Sequence, residues 1–361
     1  MTNAPPFKAY EQTRLRCPDL PETGGAVVEP QDFIVEELPA YTPQGSGEHV
    51  YVWIEKRQLT TPQAIARLAR YAGVASRDVG SAGLKDRHAI TRQWLSFAGP
   101  KADGLRRYDD EDGRLQVLEV TRHGNKLRTG HLRGNRFIIR LRDVVPDARA
   151  KALPILGRLE ERGLPNYYGA QRFGRDGDNA ERAWRALVGE GRLPRDRQRR
   201  RLLVSALQSQ LFNEVLDARL RAGETERLLD GDVLAKRESG SQFVSEDAAT
   251  DQRRLDDDEL VITGPICGPR MTRPREGSEA RRREDELLAA LGCRPEDFEV
   301  FGRIARGGRR PLLVFPEDLT ISGVEGDPRS LRISFALPAG SYATVLLREL
   351  TLSRSSGPML G

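Results

Sequence analysis

The segment Ala82–Thr91 carries the densest chemistry in the chain, because a carboxylate stands between two cations close to a glycine. Asp86 lies between Lys85 and Arg87, just before a segment that alternates as a strand does. Neighbouring positive charge keeps a carboxylate ionised, and an ionised carboxylate can act as a nucleophile or a base. The structural alternative is a turn aspartate that accepts backbone N–H bonds, and this segment alone favours it.

Two further segments combine aromatic, amide and arginine side chains beside glycines. Residues 163–174 could stack on unpaired bases, or they could form a glycine-hinged domain entry whose aromatic rings are core. Residues 126–137 could form a solvated basic hairpin, but Asn135 and Phe137 beside its bend could bind a base. The residue types leave both alternatives open for each segment.

The sequence contains few residues arranged to bind a metal ion or a nucleotide phosphate. The three cysteines and four histidines are dispersed, without a Cys-x-x-Cys pair or two histidines at positions i and i+4. No glycine-rich loop with nucleotide-binding spacing follows a strand and opens a helix. We therefore expect no metal, no nucleotide and no other cofactor.

Positive charge is concentrated locally in a chain whose formal net charge is +5. Residues 121–149 contain eight basic and two acidic residues, and residues 192–201 contain six arginines and one aspartate. Such stripes are typical of proteins that bind a polyanion. The general preference for arginine, 51 residues against 7 lysines, has genomic composition bias as its alternative explanation.

Length and hydropathy predict a soluble protein of two or three domains. The chain has 361 residues and a mean hydropathy of -0.55. Its longest apolar runs are only a few residues, whereas a bilayer span needs roughly 20. The N-terminus has no apolar stretch behind a basic start, as a secretory signal would. We expect a cytoplasmic protein without membrane contact.

Hydrophobic periodicity predicts the elements that must position these residues. Predicted strands cover 32–37, 49–55, 93–97, 115–120, 131–143 and 331–337. Predicted helices cover 62–73 (with Thr61 as N-cap), 148–162, 179–188, 203–222, 282–291 and 342–351. Segment 99–114 is predicted to be a polar hairpin or loop, and segment 223–281 is predicted to consist of exposed loops around short strands. This order of strands, helices and strands predicts an α+β fold with a middle domain inserted into a sheet.

Taken together, these segments resemble the TruD-type tRNA pseudouridine synthases, known as tRNA pseudouridine-13 synthases. The matching segments are PQDFIVEE (30–37), AGLKDRHAITRQ (82–93), GNRF (134–137), LPNYYGAQRFG (164–174), SALQSQLFN (205–213) and LPAGSYATVLLREL (337–350). They occur in the family's order and span nearly the whole chain.

The resemblance implies a fold and an activity. The fold would be α+β, with a pseudouridine-synthase catalytic domain on a mixed, mainly antiparallel sheet and a family-specific inserted α/β domain. The catalytic domain would comprise residues 1–160 and 315–361, and the inserted TRUD-type domain residues 161–314. The activity would be isomerisation of a specific uridine in tRNA, at position 13, to pseudouridine. We expect a monomer whose partner is tRNA.

The resemblance also assigns roles to individual residues. Asp86 stands where the family has its catalytic aspartate, which would attack either C1′ or C6 of the uridine. Phe33, Asn135 and Tyr342 would line the uridine, with Tyr342 where some members carry phenylalanine. Phe137 would stack on the uracil.

Three cations are candidates for ion pairs or RNA contacts. Some members carry a basic residue where this chain has Val27, so the partner of Asp86 would have to be Lys85 or Arg87. Arg172 is a further candidate for contact with RNA. Two other classes stay open: an RNA-binding protein without catalysis, such as a tRNA chaperone, and an RNA methyltransferase. The intact Lys85-Asp86-Arg87 sequence disfavours the first class, and the missing glycine-rich cofactor loop disfavours the second.

Overall fold

The computed structural model describes residues 5–351, except for the side chains of Pro100 and Lys101. The chain divides into two compact units. One, here called the helical unit, contains Gly157–Phe315 together with residues 5–20 and Thr344–Glu349. The other, the sheet unit, contains Pro21–Leu156, Pro316–Ala343 and residues 350–351.

The described residues form α-helices, strands and short 3-10 segments. The α-helices are α1 (Thr61–Ala72), α2 (Ala148–Arg162), α3 (Asn179–Leu187), α4 (Arg197–Arg221), α5 (Ala248–Asp256), α6 (Glu279–Ala290) and α7 (Ala343–Thr351). The strands are β1 (Gly24–Ala26), β2 (Phe33–Pro39), β3 (His49–Lys56), β4 (Gly80–Ser81), β5 (Ile90–Ala98), β6 (Leu115–His123), β7 (Leu132–Val144), β8 (Leu164–Pro165), β9 (Val233–Lys236), β10 (Gln242–Val244), β11 (Leu260–Ile266), β12 (Gly308–Pro311), β13 (Leu313–Val314), β14 (Glu317–Val324) and β15 (Asp327–Pro338). The 3-10 segments are Tyr10–Gln12, Pro30–Asp32, Ser76–Asp78, Pro100–Arg107, Ala170–Phe173 and Pro295–Ala305.

Nine strands form the mixed sheet of the sheet unit. Their order is β14-β15-β7-β2-β5-β3-β6, with β1 beside β7 and β4 beside β5. Within residues 5–351, β2 and β5 are the one parallel pair, and every other pair is antiparallel. A parallel pair needs a crossover connection, which β3, α1 and β4 provide. The predicted α+β fold on a mixed, mainly antiparallel sheet is confirmed.

The alternation along β7 gives this strand one apolar and one basic face. Phe137, Ile139 and Leu141 are buried, at 6%, 0% and 1% exposure. Arg140 and Arg142 between them are half-buried on the opposite face. Successive side chains of a strand point to opposite faces, so Phe137, Ile139 and Leu141 lie on one face of the sheet and the arginines on the other.

The start of α1 differs from the prediction by one residue, and the difference matters for the site. Thr60 is the N-cap, and its side chain accepts from the N–H of Gln63 at 3.3 Å. Thr61, predicted as the cap, is instead the first helical residue and is fully buried. Two adjacent threonines precede Pro62, and capping requires only one of them, which frees the Thr61 hydroxyl for another contact.

Several other elements were not predicted. Helix α4 begins at Arg197, because Asp196 caps it by accepting from the N–H of Arg199 at 2.7 Å, six residues before the apolar periodicity starts. The predicted loop 99–114 contains a 3-10 segment whose Ala102 and Leu105 are core residues. Segment 223–281 contains the expected short strands, among them the buried strand β11, but helix α5 within it was missed, and so was β14. Helix α5 is short and polar, so its periodicity is too weak to be recognised.

The helical unit has its own core and its own antiparallel sheet, with strand order β10-β9-β11-β12. Trp184, Leu207, Leu211 and Phe298 lie in one buried cluster, and the Trp184 indole donates to the Leu291 carbonyl at 3.1 Å. In residues 5–351, no helix combines the length and apolar character needed to cross a bilayer.

The N-terminal segment is held inside the helical unit by buried carboxylates. Lys8 donates to Asp217 of α4 at 2.6 Å. The backbone N–H groups of Arg16 and Cys17 donate to Glu349 of α7 at 2.8 and 3.0 Å. Burial raises the pKa of Glu349, whereas these N–H groups lower it. The first described residues and the last helix are therefore parts of one packed structure.

Candidate active site

Asp86 lies on an irregular loop, residues 83–86, between β4 and β5 of the sheet unit. Its side chain is exposed, and Oδ1 accepts from the N–H of His88 at 2.9 Å, as in an Asx turn. Among the described residues, no cation forms an ion pair with this carboxylate. Asp86 therefore combines the hydrogen bond of a turn aspartate with a carboxylate that is accessible to solvent.

Lys85 turns its side chain into the protein and binds two neighbouring strands. Its ammonium lies 3.3 Å from the carboxylate of Glu37 and donates to Oδ1 of Asn135. Glu37 on β2 and Asn135 on β7 are directly opposite each other in the sheet. Burial lowers the pKa of Lys85 and raises that of Glu37, and the attraction between the two charges offsets part of both shifts. Lys85 therefore pairs with Glu37, and not with Asp86.

Three phenylalanine rings lie on one face of adjacent strands. The Phe33 ring meets the Phe137 ring edge-on, with centroids 6.1 Å apart. Phe335, opposite Phe137 in the β15–β7 register, lies 5.5 Å away on its other side. Phe33 is half-buried, whereas Phe335 is fully buried. The Phe137 ring is thus held in a fixed orientation between two others.

The remaining predicted site residues fall in different places. Arg87 follows Asp86 and is exposed, and Tyr342 is half-buried in the sheet unit just before α7. Arg172 belongs to the helical unit, where it donates to the hydroxyls of Ser205 and Ser209 on α4. The structure therefore brings Lys85 and Asn135 together and joins Phe33 to Phe137, whereas Arg172 makes its contacts within α4's own unit.

Sequence reasoning missed four buried polar residues next to the loop: Glu37, Lys56, Thr61 and Gln93. All four have relative exposures of 3% or less. Lys56 binds the carbonyl of Asp86, and Thr61 binds the N–H of Lys85. A signal was available, because Lys56 is one of only seven lysines and ends an apolar strand.

The family model for tRNA pseudouridine synthase D (TruD) matches residues 12–191 and 178–350. This chain belongs to the TruD family. The resemblance found in the sequence is thereby confirmed, and its quoted segments fall within the matched residues.

Individual relatives agree with the family match. A tRNA pseudouridine synthase D of Thermus thermophilus is 44% identical over 333 residues, which cover 92% of this chain and 90% of the relative. One of Anaeromyxobacter dehalogenans is 43% identical over 354 residues, covering 94% and 96%. A crystal structure described as a putative TruD, from Methanosarcina mazei, shares the fold with a TM-score of 0.76 at 24% identity, over 98% of this chain and 99% of that one.

The TruD segment 163–174 is held by amides of its own unit. Asn213 accepts from the N–H of Tyr168 at 2.9 Å and donates to its carbonyl at 3.0 Å. Asn166 donates to the carbonyl of Pro311 at 3.0 Å, and Tyr167 and Phe173 are buried. These contacts favour the domain-entry alternative over a surface that stacks on bases.

The two basic stripes of this TruD chain differ in how their charge is compensated. In residues 121–149, five of the eight cations pair with carboxylates elsewhere in the sheet unit: Arg122 with Asp103, Arg133 with Glu317, Arg136 with Asp318, Arg140 with Asp327 and Arg142 with Asp32. Most of the carboxylates lie far away in sequence, so a window count could not reveal them. This stripe therefore offers less uncompensated positive charge than the window count indicated, and its contact with phosphates stays a prediction.

The stripe at residues 192–201 keeps its charge. Its six arginines are exposed, and within the part of the chain that the structure describes none of their side chains forms an ion pair or a hydrogen bond. The last four begin α4, and Asp196 is occupied as the helix cap. This stripe is therefore the better candidate for contact with phosphates.

Proposed function

We propose that this chain converts one specific uridine of tRNA, at position 13, to pseudouridine, with Asp86 as the nucleophile. Membership of the TruD family, whose relatives are named tRNA pseudouridine synthase D, supports the reaction and its substrate. The observation that carries the role of Asp86 is its exposed carboxylate on a loop bound by buried polar side chains.

The reaction replaces the C1′–N1 bond of uridine with a C1′–C5 bond. Nothing is added to the base or removed from it, so the chemistry requires no cofactor. The base must leave its stack to reach Asp86, at a cost of a few kcal/mol. An ionised, solvent-accessible carboxylate can attack either C1′ or C6, and both routes begin from the same position of Asp86.

Asn135 is suited to recognise the uracil because Lys85 sets the orientation of its amide. The Lys85 ammonium can only donate, so it faces Oδ1 of Asn135 and fixes which end of the amide is the oxygen. In the described residues, the Nδ2 group has no acceptor, so its N–H bonds are left for a uracil carbonyl. Phe137 would stack on the base, and Phe33 and Tyr342 would shape the pocket.

The two compact units have different roles in this proposal. The sheet unit would be the catalytic domain, predicted as residues 1–160 and 315–361, and the helical unit the family-specific inserted domain, predicted as residues 161–314. The compact units differ from these bounds, because residues 5–20 and 344–349 belong to the helical unit. The arginines at 192–201 bind phosphates, which contributes affinity but carries no base information. Arg87, exposed beside Asp86, contacts a phosphate near the target nucleotide. The enzyme acts as a monomer in the cytoplasm.

Incubation of the protein with tRNA transcripts, followed by carbodiimide-based mapping, tests the proposal. We expect one pseudouridine, at position 13. Asp86→Asn keeps the size of the side chain but removes its charge, so the single-turnover rate should fall by at least about 10⁴-fold, or roughly 5.5 kcal/mol of barrier. Binding of tRNA and thermal stability should be nearly unchanged.

Other results would point to the rival classes. Tight tRNA binding without any pseudouridine would favour a non-catalytic RNA-binding protein. Methyl transfer from S-adenosylmethionine would favour a methyltransferase. If Asp86→Asn instead lost about 0.5–2 kcal/mol of stability and kept normal turnover, Asp86 would be a turn residue alone.

A further inference from the structure

Lys56, at the end of β3, is a lysine with no exposed surface. Its ammonium donates to three backbone carbonyls: Asp86 at 2.6 Å, Leu59 at 2.7 Å and Lys85 at 3.3 Å. An ammonium has three donors, so each has an acceptor here. In the described part of the chain it forms no ion pair.

Stability alone does not account for a lysine at this position. Burying a charge is costly, and replacing a buried charge by an apolar side chain of similar volume is often neutral or stabilising. Val50, Val52 and Ile54 on the same strand are buried core residues, so an apolar side chain at position 56 could pack in the same way. What Lys56 adds is a fixed position for the carbonyls that flank Asp86.

Two further buried side chains act on the same loop. The Thr61 hydroxyl accepts from the N–H of Lys85 at 2.9 Å and donates to Oε1 of Gln93 at 2.9 Å. Gln93 in turn donates through Nε2 to the carbonyl of Gly83 at 3.2 Å. Thr61 and Gln93 are both fully buried. The two residues therefore bind the loop through one continuous chain of hydrogen bonds.

The loop has no backbone partners that could hold it instead. Within residues 5–351, Gly83–Asp86 form no backbone–backbone hydrogen bond and belong to no strand. The nearest such bond joins Ala82 to Gly130. Side chains therefore set the path of the backbone that carries the Asp86 carboxylate.

We propose that Lys56, Thr61 and Gln93, here called the loop clamp, are positioning residues that hold Asp86 for attack on the uridine. The inference rests on the proposed function, because the clamp acts only through Asp86. A displacement of about 1 Å in a reacting group can cost about 10²-fold in rate. Lys56 binds the peptide of Asp86 itself, so its loss should displace the carboxylate most.

The test compares clamp variants with a matched control from the helical unit. Lys56→Met removes the ammonium and keeps the length of the side chain. The control is Arg348→Met, because Arg348 also binds backbone carbonyls, those of Glu11 and Thr13. Single-turnover pseudouridine formation at saturating tRNA, tRNA affinity and thermal stability are measured for each protein.

For Lys56→Met we expect the rate to fall about 10²-fold while tRNA affinity stays within about threefold. For Arg348→Met we expect the rate of the folded fraction to stay within about threefold. A wild-type rate for Lys56→Met, or an equal fall in both variants, would overturn the clamp.

A second pair of variants keeps the test decisive if Lys56→Met fails to fold. Thr61→Val has the shape of threonine but no hydroxyl, whereas Thr61→Ser keeps the hydroxyl. We expect the valine variant to lose about tenfold or more in rate and the serine variant to recover most of it. Equal rates for the two would overturn the proposal.

The pH dependence gives an independent readout. Burial lowers the pKa of Lys56 to about 8, the Asp86 carboxylate opposes this shift, and the Lys85 ammonium adds to it. Above that pH the side chain has one donor fewer, so the wild-type rate should decline, and the decline should be absent from Lys56→Met. Failure of the proposed function looks different, because the wild-type protein itself would then form no pseudouridine.

Discussion

Lys85 forms its ion pair with Glu37, at 3.3 Å, and not with Asp86, its neighbour in the chain. The cation next to Asp86 in the sequence therefore compensates a carboxylate on strand β2. It links β2, β7 and the loop that carries Asp86 through one buried group. Asp86 forms no ion pair in the described structure, although the buried Lys56 ammonium attracts its carboxylate.

Breaking the ion pair between Lys85 and Glu37 should lower the free energy of unfolding, and the losses of the two single variants should not add. Removing one partner of a buried ion pair typically costs about 3–5 kcal/mol, because the other charge is left unpaired. We expect losses of that size for Lys85→Met and for Glu37→Gln in urea unfolding, and a smaller loss for the double variant than their sum. Strictly additive losses would mean that the two groups are not coupled.

Replacing Phe137 should reduce catalysis more than it reduces tRNA binding. Phe137→Leu keeps an apolar side chain but loses part of the ring's packing, so we expect about 1–3 kcal/mol of lost stability. A stacked base is worth about 1–3 kcal/mol, which predicts a fall in turnover of about 5- to 150-fold. The control is Phe335→Leu, since Phe335 is fully buried beside the same ring. Similar rates for the two variants would remove Phe137 from base stacking.

Neutralising the start of α4 should weaken the salt dependence of tRNA binding. Each lost phosphate contact lowers the slope of log affinity against log salt by about 0.7–0.9. For the combined Arg199→Ala, Arg200→Ala and Arg201→Ala variant we expect a slope smaller by about 2–3. The control is Arg133→Ala with Arg136→Ala, whose charges are already compensated by Glu317 and Asp318. An unchanged slope in the triple variant would mean that these arginines do not contact RNA.

Asp32, next to Phe33, should give a pH-dependent contribution to stability. Burial raises its pKa, but contacts with the Arg142 guanidinium at 2.7 and 2.9 Å, and with the N–H of Glu29, outweigh burial and lower it. Because the pKa is lower in the folded protein, the contribution is complete above the ordinary value of about 3.9 and is lost as the pH falls below it.

We therefore expect Asp32→Asn to lose about 1.5–3 kcal/mol in urea unfolding at pH 7, as for hydrogen bonds to a charged group. The difference from the wild type should shrink near pH 3. Asp327→Asn is the control, because its pair with Arg140 is more exposed and should contribute much less to stability. An undiminished difference at pH 3 would show that the Asp32 charge is not responsible.

Local sequence was enough to predict the long periodic elements. Strand β7 and helix α2 were predicted almost to the residue, because alternation or helical spacing is strong along their length. It was not enough for the contacts of the site. Whether Lys85 binds Asp86 or Glu37 depends on the pairing of β2 with β7, which no local pattern contains.

Local sequence was also not enough to predict which charges are compensated. The arginines of β7 are compensated by carboxylates 110 to 187 residues away, whereas those at the start of α4 form no ion pair in the described structure. Thr61 illustrates it on a smaller scale: the capping signal was recognised, but its neighbour Thr60 is the cap. Thr61 is not needed as a cap and belongs to the loop clamp. Its burial depends on packing, which the local sequence does not reveal.

The contact of Glu349 with Arg16 and Cys17 also has a consequence for protein synthesis. Arg16 is made 333 residues before the carboxylate that receives its N–H. At about 5–20 residues per second, the ribosome needs on the order of 20–70 s to cover that distance. During this interval the N-terminal segment has no Glu349 to bind. A message truncated shortly before codon 349 should therefore yield a chain in which Arg16 and Cys17 lack this contact, whereas Lys8 and Arg14 can still bind Asp217. Proteases should then cut the stretch around Cys17 more readily than in the longer chain.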